Sequence, residues 1–455
     1  MSALALPVKR KAITFSPSLQ SFAVLVAVLI LLTSSFDIFL ILNASGNYRF
    51  CQMIAPALIV LAIVKARWGW KIPTLGIVPL GIWLLAQVLF IPVTSFWPKS
   101  LAYCVWLLLN IGLMFAYVQL FSDNQRALCT LLRWYVYSFG LIAAFGIVQF
   151  ILPLLGLPGP LVKQWWIPGS LARANGFSYE PSYFATYLLI GFVFVGSLRR
   201  ARSTLLSSRA LLGIWGLTAV GIVVSSSRMG IVFLLIDVFL AQVRPWLSVA
   251  GDIGRSRIVP SKLGRLIPSL ALATLVVALL AGAVTILENR PAITLMFLNG
   301  TGVSGTAAHS VIEREDSLEE TVAVFLEHPV IGRSLGGVSS AIAEREGETI
   351  HSFEDSKNFE GMSVFAEILA ASGIVGVVPF LCFIAVTIWK PLALARTTQP
   401  FYSSLLRGLV RSLVFAWAVL QFNQNVLRPY LWIHLAILAA VYAAARASTP
   451  HTPSR

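Results

Sequence analysis

Charged residues are scarce in this sequence, and their scarcity argues against a soluble fold. Of the 455 residues, 12% are charged and 57% are apolar, whereas soluble domains carry roughly 25% charged residues. The sequence also has no Walker loop, dinucleotide fingerprint, zinc-ligand spacing or basic-aromatic RNA-binding stretch. We therefore expect no cofactor, no metal and no nucleic-acid partner.

Cysteine is equally rare, with four residues in the whole chain. They fall singly within predicted apolar spans, at Cys51, Cys104, Cys129 and Cys382. Packing as small apolar side chains explains such isolated cysteines better than a disulfide or metal framework does. A fold held together by disulfides is therefore not expected.

Long apolar runs, in contrast, recur along nearly the whole chain. The hydrocarbon core of a bilayer needs about 20 apolar residues per helix. Runs suited to this lie near 21–42, 51–64, 74–95, 100–121, 129–154, 181–198, 209–225, 229–243, 268–287, 362–389, 404–421 and 429–445. They are continuous rather than alternating, which excludes a β-barrel. The sequence predicts an all-α polytopic membrane protein with about twelve transmembrane helices.

Lysine and arginine concentrate in alternate loops between these spans. If the N-terminus is cytoplasmic, 23 of the 34 basic residues fall in cytoplasmic segments, as the positive-inside rule requires. The net charge of +15 then reflects topology. This predicts nine helices in 1–287, a large outer loop at 288–361, three helices in 362–455, and both termini in the cytoplasm.

The segment 288–361 interrupts the apolar pattern and is acidic. It holds thirteen of the nineteen carboxylates and has a net charge of −8. A loop of this length is usually functional. Within it, DSLEETVAVFLEHPVIG (316–332) combines a capping box of Ser317 and Glu320 with apolar residues at helical spacing and a Pro–Gly stop. This predicts an amphipathic helix over the outer mouth of the bundle.

Two predicted helices begin at the outer side with polar sequences. ARANGFSYEPSYFATYLL (172–189) opens the sixth span, and Pro181 suits its first helical turn. SSSRMG (225–230) opens the eighth, where serines can cap the helix. Helix N-termini attract anions, and arginine binds phosphate with a two-pronged fork. If these two ends converge, Arg173 and Arg228 predict a binding site for a diphosphate.

Structural explanations remain open for each candidate. Arg173 and Arg228 could extend to lipid headgroups, and Glu180 could serve only as a helix cap or as a partner for arginine. Charged groups inside a span, such as Asp37 and Asp237, suggest function, but both could equally be partners of polar groups on neighbouring helices. Histidines in the outer loop are more often solvated than catalytic.

Four segments, in this order, resemble the bacterial O-antigen polymerase and O-antigen ligase superfamily. They are RANGFSYEPSYFATYL (173–188), SSSRMGIVFL (225–234), EHPVIGRSLGG (327–337) and FAEILAASGIVG (365–376). The resemblance covers most of the chain from about residue 140 onward. It implies a membrane glycosyltransferase of the GT-C type, acting at the outer face of the inner membrane on glycans linked to undecaprenyl diphosphate.

The resemblance is closer to the polymerase branch than to the ligase branch. Ligases typically carry a His-Asn pair shortly before the last segment, where this chain has Met362 and Ser363. The EPSYFA motif that begins at Glu180 is similar to motifs in polymerases of O-antigen, capsule or exopolysaccharide. The function implied is polymerisation of lipid-linked repeats, alongside a flippase and a chain-length regulator. An O-antigen ligase, transferring glycan to lipid A-core, is the alternative.

The chemistry of such a transfer assigns roles to six residues. Stabilising the leaving diphosphate needs fixed cations, for which we expect Arg173 and Arg228, with Arg333 and Arg428 as further candidates. Deprotonating the acceptor hydroxyl needs a carboxylate or imidazole, for which Glu180 is the first choice and His351 the second. A lipid-linked sugar transporter is a rival class. However, the two halves of the chain are dissimilar and its polar groups cluster at one face, unlike transporter sites at the midplane.

Overall fold

The chain folds almost entirely into α-helices, as the sequence predicted. The computed structural model describes residues 16–43, 47–67, 69–250, 306–361, 363–422 and 426–448. Its helices are α1 (Pro17–Thr33), α2 (Phe50–Ala66), α3 (Ile77–Leu89), α4 (Trp97–Phe121), α5 (Gln125–Leu154), α6 (Pro181–Arg200), α7 (Ser208–Val224), α8 (Arg228–Ala250), α9 (Thr306–Glu327), α10 (Val338–Arg345), α11 (Val364–Leu394), α12 (Pro400–Val419) and α13 (Pro429–Ser448). Two short antiparallel hairpins pair β1 (Ile41–Asn43) with β2 (Asn47–Arg49) and β3 (Gln164–Ile167) with β4 (Leu171–Arg173).

Six of the described helices are long and apolar enough to cross a membrane, by length and composition: α4, α5, α6, α11, α12 and α13. Four shorter apolar helices accompany them, namely α1, α2, α3 and α7. Large apolar side chains such as Leu85, Leu108 and Trp389 are exposed on these helices. Apolar surface of this extent is unusual on a soluble monomer and agrees with a multi-pass membrane protein.

Helices α6 and α13 are the most deeply buried of these candidates. Helix α13 packs mainly on α4 and α12, and α6 packs on α7 and α12. The one histidine on α13, His434, is fully buried; one ring nitrogen lies 2.7 Å from the Tyr135 hydroxyl and the other 2.9 Å from the Leu409 carbonyl oxygen. Both buried ring nitrogens therefore have hydrogen-bond partners, and the helix can sit at the centre of the bundle.

Most predicted spans coincide with helices, two differ in length, and one is not described. The first helix ends at Thr33 rather than near 42, so Asp37 lies beyond it in an irregular segment. The third span is shorter than predicted, because a 3₁₀ turn at Ile91–Val93 follows the helix end at Leu89. The predicted span near 268–287 lies outside the described residues.

The predicted amphipathic helix in the loop exists, but it begins earlier than expected. Helix α9 runs from Thr306, so Ser317 and Glu320 lie within it and do not form an N-terminal capping box. The Ser317 hydroxyl instead donates to the Glu360 carbonyl at 3.1 Å. The upstream sequence continues the helical pattern, which is why the start moves. The helix ends at Glu327, before Pro329 as predicted.

Helix α11 is broken at Gly373, and the loop after α9 fills the break. Gly373 has φ 56° and ψ −168°, a conformation open essentially to glycine alone. Loop residues 329–334 bond to the freed backbone groups: Ile374 N–H donates to the Pro329 carbonyl at 2.9 Å, and Ser334 N–H donates to the Ala371 carbonyl at 2.7 Å. The motifs EHPVIGRSLGG and FAEILAASGIVG therefore form one joint that fixes the loop to the bundle. We call the end of the bundle that carries this joint the loop-side end.

Gly373→Ala is expected to loosen this joint. A Cβ on Gly373 would lie 2.3 Å from the Val330 carbonyl oxygen, and the backbone strain alone costs roughly 1–3 kcal/mol. The thermal midpoint of the purified protein in detergent should fall. Gly347→Ala is the matched control, because Gly347 also has a positive φ (+79°) but has nothing within 4 Å of a new Cβ. Equal losses from both variants would mean that backbone strain, and not the joint, is responsible.

Candidate functional site

The segment before α6 is held in one shape by two buried amides. The Gln149 side-chain oxygen accepts from the N–H groups of Asn175 and Gly176 at 3.2 and 2.7 Å. The Asn175 side chain in turn donates to the Ser178 carbonyl at 2.8 Å. Gly176 has φ +55°, and a Cβ there would lie 2.6 Å from a ring carbon of Phe184. This sequence therefore fixes where α6 begins and where Glu180 lies.

Glu180 is the N-cap residue of α6, and Pro181 starts the helix as predicted. Its carboxylate makes no capping bond to the helix backbone and accepts instead from the Ser182 hydroxyl at 2.9 Å. The side chain is half-buried. The cap function considered for Glu180 is therefore absent from the geometry, which leaves the carboxylate directed to other contacts.

Arg173 ends β4 beside the turn that precedes α8. Its guanidinium donates to the Gln164 side chain at 2.8 Å and to the Ser226 carbonyl at 3.4 Å. It also lies over the ring of Trp166, 5.0 Å from the ring centroid, a distance typical of a cation–π contact. The residue is half-buried within the protein, so its side chain is fixed in place by these contacts.

The N-terminal parts of α6 and α8 pack against each other. The Ser227 hydroxyl accepts from Gly230 N–H at 3.3 Å and so caps α8, as the sequence predicted. A Cβ on Gly230 would lie 2.8 Å from the Cβ of Ala185 on α6. Arg228, the first residue of α8, is two residues from the Ser226 carbonyl that Arg173 contacts. The N-terminal parts of α6 and α8 thus lie close together, which was the condition for the diphosphate hypothesis.

A second basic group surrounds Asp37 at the loop-side end. One carboxylate oxygen accepts from Arg49 Nε at 2.7 Å, and the other lies 2.9 Å from Arg428 Nη1. Arg428 is buried with its guanidinium carbon 3.5 Å from the ring centroid of Tyr183 on α6. Its buried Nε has no hydrogen-bond partner among the described residues. Asp37 therefore acts as a structural partner, one of the two interpretations left open for it.

The charges of this group hold one another in the ionised state. Burial alone disfavours the charged form of Asp37. The charges of Arg49 and Arg428 outweigh this effect and lower the pKa of Asp37 below its ordinary value. Burial likewise opposes the charge of Arg428, and Asp37, followed by Tyr183, Tyr430 and Glu180, outweighs burial and raises the arginine's pKa.

A buried lysine ties the loop of residues 328–361 to the loop-side end. Lys99 on α4 donates to Glu360 at 3.0 Å and to the Ser339 hydroxyl at 3.0 Å. The Tyr103 hydroxyl, one turn further along α4, lies 3.4 Å from the same Glu360 carboxylate. A buried pair of this kind is costly to break, because the remaining charge is left without compensation. The loop is therefore held over the helix ends by paired charges.

Arg333 and His351 have other surroundings. Arg333 donates to the Val93 carbonyl at 2.8 Å and lies 3.7 Å from Glu344, which makes it part of the joint between loop and helices. His351 is exposed, with its ring nitrogen 3.0 Å from the Thr349 hydroxyl. Among the described residues, neither has a contact with Arg173, Glu180 or Arg428.

Asp237 lies far from this end, within α8. It is buried and paired with Arg411 at 2.8 Å and with Arg200 at 3.6 Å. This agrees with the interpretation of Asp237 as a partner of polar groups on neighbouring helices.

Sequence reasoning missed Arg49, Lys99, Tyr183 and Glu360. One signal was available for two of them. Arg49 and Lys99 are basic residues on the predicted outer side, where the positive-inside rule disfavours them. A basic residue kept there against the trend is a candidate for a buried or functional role. The tyrosine and the glutamate gave no such signal, since their partners come from other segments.

No family model matches this chain, and no curated protein matches it.

Proposed function

We propose that this protein is a membrane glycosyltransferase that polymerises oligosaccharide repeats carried on undecaprenyl diphosphate. The observation that carries the proposal is the meeting of the α6 and α8 N-termini with Arg173 held against the turn before Arg228. The starts of two helices bring the positive ends of their dipoles close together, and positive dipole ends attract phosphate. This combination suits a diphosphate, and the resemblance to O-antigen polymerases supplies the glycan class.

The leaving diphosphate is the group that most needs stabilising. An acceptor hydroxyl attacks the anomeric carbon of the donor sugar, the bond to the diphosphate oxygen breaks, and negative charge collects on the lipid diphosphate. Cations fixed before the reaction stabilise that charge without reorganisation. Arg173, fixed by Gln164 and Trp166, meets this requirement. Arg428, buried beside Tyr183, extends the positive region to the other side of the α6 first turn.

Glu180 is the residue assigned to accept the proton of the attacking hydroxyl. It is half-buried at the start of α6, bonded to a serine hydroxyl and without a capping role. His351 is less suited, because it is exposed on the loop and bonded to Thr349. The acidic loop is proposed to hold hydroxyl-rich glycan near this end, since carboxylates accept hydrogen bonds from sugars.

The proposal includes a GT-C-like arrangement of twelve spans in the bacterial inner membrane, with the loop-side end facing the periplasm. In a variant without native cysteines, Glu348→Cys should react with a membrane-impermeant maleimide in intact spheroplasts, because it lies in the exposed outer loop. Arg126→Cys, exposed at the start of α5, is the matched cytoplasmic control and should react only after permeabilisation. The reverse pattern would invert the topology and reject the assigned face.

A null strain tests the polymerising function. Without this enzyme, cells should carry single-repeat glycans or lose the polymer, while a flippase and a chain-length regulator continue to act. A ligase null would instead accumulate long chains on the undecaprenyl carrier. Such carrier-linked long chains in the null strain would contradict the polymerase proposal in favour of a ligase.

A further inference from the structure

A second basic site lies at the opposite end of the bundle from the loop. A cleft of about 690 Å³ opens between α6, α8, α11, α12 and the residues that follow α11. It contains the C-terminal end of α6 and residues 404–415 of α12, whereas Glu180 and Arg173 lie at the other end of α6. The cleft is therefore separate from the candidate glycan site.

Four arginines line this cleft: Arg200, Arg396, Arg407 and Arg411. One carboxylate, Asp237, stands behind them and pairs with Arg411 and Arg200. Arg396 and Arg407 are exposed and have no carboxylate partner among the described residues. The cleft therefore carries an excess of positive charge that an anion can neutralise.

The walls next to these arginines are apolar. Leu240, Ile388, Leu392, Val414 and Phe415 line the same cleft. Leu240 and Val414 are 45% and 43% exposed. Val414 and Phe415 are about two turns further into α12 than Arg407, so apolar wall continues inward from the basic rim. An anion without an acyl chain would gain nothing from contact with these apolar walls.

We propose that this cleft binds an anionic phospholipid, with the phosphate at Arg396 and Arg407 and an acyl chain along Leu240, Val414 and Phe415. Basic pockets between transmembrane helices on the cytoplasmic side suit acidic lipid headgroups, and arginine makes two-pronged contacts with phosphate. The buried Asp237–Arg411 pair holds α8 against α12 and so keeps the cleft walls in place. This inference goes beyond the proposed glycosyltransferase function and rests only on its orientation, with the loop-side end facing the periplasm.

Native mass spectrometry of the purified full chain tests the proposal. Phosphatidylglycerol should bind, and phosphatidylcholine, whose headgroup is neutral overall, should bind weakly. In the double variant Arg396→Gln/Arg407→Gln, the phosphatidylglycerol affinity should fall about 30-fold, at roughly fivefold per arginine. Both residues are exposed, so the variant should fold, and an unchanged thermal midpoint without lipid checks this.

Arg446→Gln is the matched control, because Arg446 is an exposed arginine in the last turn of α13, outside the cleft. Its phosphatidylglycerol binding should equal that of the unchanged protein. The proposal is overturned if the double variant retains full binding, if the control loses as much, or if both lipids bind equally. It is also overturned if equimolar inorganic phosphate displaces phosphatidylglycerol, since the site would then recognise a free anion.

Discussion

Glu180→Gln should lower the rate of glycan polymerisation by about 10²- to 10⁴-fold, the usual contribution of a general base. Glutamine keeps the size of the side chain and can still accept from the Ser182 hydroxyl, but it cannot take a proton at neutral pH. Because the carboxylate makes no capping bond to α6, the thermal midpoint should change little. The measurement is polymer yield per unit of membrane protein in a null strain complemented with each variant.

Glu354→Gln is the matched control for this prediction. Glu354 lies in the loop that carries most carboxylates of the chain, is 80% exposed, and pairs with Lys357 alone among the described residues. Surface pairs of this kind contribute little, so polymer yield should remain normal. Near-normal yield from Glu180→Gln as well would remove Glu180 from the chemistry and leave its carboxylate as a partner of Ser182 and the nearby arginine.

Arg173→Ala and Arg228→Ala should each abolish polymer while the protein remains in the membrane. A lost contact to a developing negative charge typically reduces the rate about 100- to 1000-fold. Lysine at either position should restore only part of the activity, because it supplies charge without the planar fork. At position 173 it would also lose the flat contact with Trp166, which the guanidinium makes at 5.0 Å.

Arg345→Ala serves as the control for charge removal on the same side. Arg345 forms surface ion pairs with Glu320 and Glu327, so its loss should leave polymer yield unchanged. If Arg173 and Arg228 only extend to lipid headgroups, lysine should be fully equivalent and alanine only mildly harmful. That pattern, at matched expression, would rule out the diphosphate role.

Hydropathy predicted the helices well because each span must satisfy its own backbone inside a bilayer. The position of α6 followed from Pro181 and the preceding polar run, and the cap of α8 followed from Ser227. Both predictions depend on patterns of neighbouring residues, which a single sequence shows. The early start of α9 was not predicted, because a capping-box sequence within a helix cannot be distinguished from one at the helix N-terminus.

Contacts between distant segments could not be predicted in the same way. Arg428 meets Asp37 across almost the whole length of the chain, and Lys99 meets Glu360 across more than half of it. The break at Gly373 could not be predicted for a different reason. The residues around it have the pattern of a continuous apolar helix, and the break is stabilised by hydrogen bonds from the distant loop at Pro329–Ser334. Such pairings depend on packing that local propensity does not encode.

Reconstitution with the lipid-linked repeat tests the central claim most directly. Single repeats on undecaprenyl diphosphate, isolated from the null strain, should be converted by the purified protein in proteoliposomes into a ladder of longer carrier-linked glycans. Each added repeat should release one undecaprenyl diphosphate, and the Arg173→Ala protein should give neither product. Absence of any ladder from the unchanged protein, with transfer seen only after lipid A-core is added, or with repeats merely crossing the bilayer, would contradict the proposal.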